Sequence, residues 1–314
     1  MPKFCRHGAL AAHCPICRAS VEAEVRAASS RPARAATDTR PRRNVSSRGG
    51  LVVRREVRAA DDGYRSPLAP GLRSSEDAQR LAQEIAVGAA RLDVLATAPP
   101  GLYGEIAAEP DGDEACWLAF LVAYLGPTEH EDPFAAIVSV RTPWGEVPDL
   151  AGVEAGPRGS HEPARGSASI DAYRRFAARA GGQLAALVAD PAWTGAQRFE
   201  RVYERLSLPG LHRRARYDLL VTLGLLGRFA LEAPGLLLTE DDAVTLAAKR
   251  VFGIGDRMTL ERRSRELAAA VDVPVAALDL ALENWARSER VTQGVPAAAG
   301  GGPAHERALA ALGA

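Results

Sequence analysis

The sequence has almost no lysine: Lys3 and Lys249 are the only two among 39 basic residues. A genome-wide bias toward GC-rich codons accounts for that, and for the excess of alanine, without appeal to function. Aromatic residues make up 5% of the chain, and only two methionines occur. No apolar run reaches the roughly 18–20 residues of a membrane-spanning helix; the longest, 115–126, is about half that. The N-terminus lacks the apolar core of a signal peptide, so the expectation is a cytoplasmic protein without a membrane partner. Also absent are a Walker loop, a Gly-x-Ser-x-Gly elbow, a His-Glu-x-x-His pair and a dinucleotide fingerprint. Alternating strand patterns are scarce and no internal repeat stands out, which leaves a mainly α fold class.

What is present is ordinary in bulk and uneven in layout. The 314 residues are 47% hydrophobic and 25% charged, values that exclude collagen-like and wholly disordered chains. Net charge is zero, yet residues 1–60 hold 13 basic groups against four acids, and residues 76–150 hold 14 acids against three arginines. A basic arm before an acidic stretch points either to intramolecular pairing, to a phosphate-seeking tail, or to a solvated arm that binds nothing. Four parts follow: a cysteine-rich head (1–19), a basic Ser/Arg/Pro/Gly linker (20–75), a helical domain (76–294) and a Gly/Ala tract leading to a short helical tail (295–314).

Within the helical domain, periodicity predicts an amphipathic helix over 76–95 and a buried one over 115–125. The run 134–140 is short enough to be strand or helix. A Gly/Pro/Ser loop, 152–169, has the composition of a tolerated insertion. Further helices are expected at 170–189, 196–206, 211–229, 239–252, 256–271 and 274–290, the fourth of these starting at Thr239 with acids in its first turn. The arginine-rich segment Leu208–Tyr217 reads either as a second backbone contact or as a turn with solvated arginines.

The head carries the most specific local pattern. Cys5, His7, Cys14 and Cys17 supply three thiolates and one imidazole, a closed tetrahedral set for structural Zn²⁺. His13 is an alternative fourth ligand, and a redox Cys-x-x-Cys is the competing reading. A head this small cannot fold on apolar burial, so the metal would supply its folding energy. Cys116, inside the apolar helix, reads as an inert core residue.

A second pattern is Val251-Phe252-Gly253-Ile254-Gly255-Asp256, between two predicted helices. Two glycines around one apolar residue let the chain reverse tightly, with Ile254 expected to bury and backbone amides to face outward. Such a corner at a helix N-terminus holds phosphate without reading sequence. Arg250, Arg257 and Arg262 lie around it and suit a nucleic-acid backbone, whereas Asp256 suits a helix cap.

With Asp279 26 residues beyond Gly253 and Asp272 19 beyond, this layout resembles the helix-hairpin-helix DNA glycosylase superfamily. It is also similar to its diverged branch of α-glutamyl/putrescinyl thymine pyrophosphorylases. The resemblance covers about 115–290 and implies DNA as partner. It also implies a flipped, modified base as substrate and Asp279, alternatively Asp272, as the catalytic acid. The family's Gln-Gln-Thr element is missing, and no lysine follows the hairpin for lytic chemistry. Trp285 reads as core rather than as a stacking platform. The competing functions are a non-catalytic DNA-binding protein and a helical scaffold whose zinc head docks a protein partner.

Overall fold

The computed structural model describes residues 59–165, 167–239, 241–296 and 301–314, all within one compact unit, Arg55–Ala314. Among the described residues the regular structure is helical, with no strand, as the scarcity of alternating patterns predicts. In chain order the helices are α1 (Ser75–Thr97), α2 (Leu102–Ala108), α3 (Gly112–Leu125), α4 (Ala135–Val140), α5 (Ala168–Ala180) and α6 (Gln183–Leu187). They continue with α7 (Gly195–Arg205), α8 (Arg213–Leu225), α9 (Ala243–Phe252), α10 (Arg257–Val271), α11 (Ala276–Trp285) and α12 (Pro303–Leu312). None of the described helices is long and apolar enough to cross a membrane.

Two apolar cores share the long first helix. The Ser74 hydroxyl caps α1 by accepting from the Glu76 amide at 3.2 Å, satisfying one of the orphan first-turn donors. Along its length Leu92 and Leu95 enter one core, while Leu81 and Ile85 enter the other. The second of these cores gathers α9 to α12. The first is built on α3, buried on every side from Ala115 to Leu125. The few aromatic residues are concentrated here: Phe120 stacks on Tyr173 with centroids 3.8 Å apart, and Trp117 and Tyr124 continue the stack. Each such fully buried ring contributes on the order of 2–3 kcal/mol by burial alone.

The run 134–140, open between strand and helix in the sequence, is helix α4. Three segments differ from what composition predicts. The single helix expected over 170–189 is two, because Gly181 takes a left-handed conformation (φ 88°) that closes α5. Helix α9 starts later than Thr239: Asp242 is its cap, accepting from the Thr245 amide at 2.9 Å. Residues 59–74, linker-like in composition, belong to the fold. Ala69 and Leu72 are buried in the second core, and the Gly71 amide donates to Val251 O at 2.9 Å.

The 152–169 loop is irregular, as composition predicts, but it is not a dispensable insertion. Its backbone caps α3: Gly156 donates to Leu125 O at 2.9 Å and Ser160 to Tyr124 O at 2.7 Å. At Gly159 a side chain has no room, since a Cβ would stand 2.1 Å from Leu125 O. That close approach turns the chain so that Arg158 points inward and is buried.

Candidate functional site

The glycine corner lies between α9 and α10. Gly253 takes the left-handed conformation (φ 65°) that ends α9, and the Asp256 carboxylate caps α10 by accepting from the Thr259 amide at 2.8 Å. Hydrogen bonds from Thr259 hold the Asp256 carboxyl below its usual range, so the acid stays ionised at the tip. Every residue from Gly253 to Met258 is exposed. Ile254 does not bury between the helices as expected; it is 36% exposed, and Met258 is 82% exposed. The Pro70-Gly71 turn occupies the inner side instead. A Cβ on Gly71 would lie 1.9 Å from Arg250 O, so the two backbones touch there. Gly255, by contrast, has nothing within 4 Å of its would-be Cβ.

The arginines around the corner separate into different roles. Arg257 is exposed at the first turn of α10. Arg262 pairs with Glu266 at 3.3 Å farther along the same helix. Arg250 turns inward, its guanidinium 4.8 Å from the Trp285 ring centroid, and burial lowers its pKa. Trp285 is itself buried, its indole N–H donating to Asp77 O at 2.9 Å. The structure therefore brings Gly253, Ile254, Gly255 and Arg257 to one exposed tip and leaves Arg250 beneath it.

Asp279 lies elsewhere, in the interior, at 2% exposure. One carboxylate oxygen accepts from Arg158 Nη2, and the other from Arg213 Nη1 at 2.8 Å. Burial alone would push this carboxyl up; Arg213 and then Arg158 outweigh it and hold it below the usual carboxylate range. The pair opens into a network. Arg158 also contacts Asp218 at 2.8 Å and Glu283 at 2.5 Å, while Arg213 contacts Asp242 at 2.6 Å. Glu283, one turn after Asp279 on α11, also receives Arg214 and Arg287, each at 2.6 Å. Four arginines thus face four carboxylates. One buried donor, Arg213 Nη2, has no hydrogen-bond partner among the described residues. The cavity lined by Arg158, Asp218 and Gln293 measures about 10 Å³, room for about one water and not for a base.

Asp272, the alternative acid, is exposed and serves through its main chain. Its left-handed conformation (φ 57°) closes α10, and its carbonyl accepts from Arg307. Cys116 is buried, and burial pushes its thiol up to about 12, which leaves it protonated and unreactive. The proposed zinc ligands Cys5, His7, Cys14 and Cys17 lie outside the described residues. Among the described residues no cluster of His, Cys, Asp and Glu could hold a metal.

No protein-family model, curated protein or solved structure matches the chain.

Sequence reasoning missed the partners of Asp279. Arg158 hides in a loop with no periodicity, 121 residues from Asp279. Arg213 belongs to the segment read as a solvated or nucleic-acid-facing turn, yet it is fully buried. A signal was available for Arg213: Tyr217 and Leu220, four and seven residues on, put it on a buried face of α8.

Proposed function

We propose that this protein binds nucleic acid through phosphate contacts, with the corner Gly253–Arg257 as a contact point. The observation that carries this reading is the open backbone at Gly255. It lies at the N-terminal end of the 15-residue α10, with the exposed Arg257 beside it. A helix start offers unpaired amides and the positive end of the macrodipole, and an unobstructed glycine lets a phosphate reach them. Arg257 adds a charge that the Asp256 cap partly offsets. The contact is sequence-independent, because it reads backbone rather than base edges.

Fluorescence anisotropy with the full chain and duplex or single-stranded DNA tests this. Gly255→Ala should bind as the parent does, since the site is open. Gly255→Glu puts an acid where phosphate would sit and should weaken binding by about tenfold or more. Equal binding by Gly255→Glu and the parent overturns the reading and moves the contact to the basic arm.

A second reading is favoured by the buried network itself. Charge clusters held inside a fold are enriched at functional sites, and Asp279, held by two arginines, is the acid that the resemblance to base-acting, glycosylase-type enzymes implies. On this reading the Arg158 and Arg213 contacts must part to admit a flipped, modified base. The carboxylate would then stabilise positive charge developing on the sugar. Its test is base release from DNA carrying modified thymines, present in the parent and lost in Asp279→Asn with DNA binding retained. Release by Asp279→Asn at the parental rate removes Asp279 from the chemistry.

A further inference from the structure

Helix α5 has two working faces. Ile170 and Tyr173 pack into the first core, and Ala177 on the same face is buried. Its other stripe, Ala172, Arg175, Phe176, Arg179 and Ala180, follows helical spacing and forms one wall of a cleft of about 510 Å³. The opposite wall comes from the end of α7 and the residues after it: Arg205, Leu208 and Pro209. The volume lies within the roughly 300–1,000 Å³ of small-molecule sites.

The lining has an unusual chemistry. Among the described residues that line it, the charged ones are Arg175, Arg179 and Arg205, with no carboxylate. Asp171, one turn before Arg175, makes no ion pair with it, and Glu204 is turned to Arg201 at 3.3 Å. Arg175 and Arg179 are exposed and have no hydrogen-bond or ion-pair partner among the described residues. Arg205 is fixed by one bond, Nη2 to Val188 O at 2.7 Å, while its Nε is buried without a partner. Burial, then neighbouring Arg201, disfavours its charge, so a bound anion would relieve it. Between the guanidiniums the surface is apolar, and Phe176, anchored against Tyr173 with ring centroids 6.1 Å apart, supplies a flat side.

We infer that this cleft is a binding site for a small organic phosphate with a planar body, the phosphate on Arg175, Arg179 and Arg205 and the planar part against Phe176. Guanidinium forks match phosphate oxygens in geometry as well as charge. The site is independent of the glycine corner, so its fate does not follow the nucleic-acid reading.

The probe is adenosine 5′-monophosphate, titrated calorimetrically into the full chain beside adenosine and inorganic phosphate. The expected result is saturable binding of the nucleotide, with each part alone weaker by about tenfold or more. Arg175→Ala/Arg179→Ala should weaken nucleotide binding by at least about tenfold without changing the melting temperature of the free protein, because both side chains are exposed. Gly255→Glu should leave it unchanged. Any of four results overturns the inference. These are no saturable binding at millimolar nucleotide, undiminished binding by the double variant, inorganic phosphate binding as tightly as the nucleotide, or a double variant that loses oligonucleotide binding alone.

Discussion

Asp279 keeps its charge because Arg158 and Arg213 reach both of its oxygens in the buried interior. Removing one member of such a set leaves the others buried and uncompensated, which costs more than the intact set contributes. Asp279→Ala should therefore destabilise the fold by roughly 3–5 kcal/mol in chemical denaturation at neutral pH. The sign of the pH dependence follows from the direction of the shift. The folded carboxyl is held below its unfolded value of about 3.9. Its contribution is complete above that value and is lost as pH falls through the lower, folded value. Asp279→Asn should start less stable at neutral pH and lose less on acidification than the parent. Parallel stability curves for the two proteins would show that Asp279 does not act as an ion.

At the scale of elements, the corner rests on the contact between Gly71 and the end of α9. A methyl group at Gly71 would meet Arg250 O and Gly253 N, both backbone atoms that cannot swing aside. Gly71→Ala should cost about 1–3 kcal/mol by overpacking, whereas Gly255→Ala should stay within about 0.5 kcal/mol of the parent. Equal melting temperatures for Gly71→Ala and the parent would contradict this packing. These elements also show what a sequence makes legible. Helices α1, α8 and α10 announce themselves through local periodicity, because neighbouring turns share one buried face, and α3 through an apolar run that is buried all round. Asp242 rather than Thr239 caps α9, a choice between adjacent polar residues that tertiary contacts make. Arg158 and Gly71 were invisible for a different reason: both act through backbone approaches between segments far apart in the chain, which leave no periodic trace. The candidate acid Asp279 could be named from its spacing after Gly253; of its two partners, Arg213 carried a helical signal and Arg158 none.

For the molecule as a whole, zero net charge conceals three distinct arrangements: a basic N-terminal stretch, an acidic stretch, and a balanced interior of four arginines and four carboxylates. The N-terminal stretch carries the zinc proposal, which rests on sequence spacing. Metal analysis of the full chain should find one zinc per molecule, lost in Cys14→Ser/Cys17→Ser; retention of zinc by that variant would place the ion elsewhere. Phosphate binding by the corner is the central claim, and its most direct test is the salt dependence of DNA affinity for the parent and Arg257→Ala. Each neutralised phosphate adds about one unit to the slope of log affinity against log salt. The expected result is weaker binding by Arg257→Ala with a slope shallower by about one. Identical affinity and slope would contradict a phosphate contact at this corner.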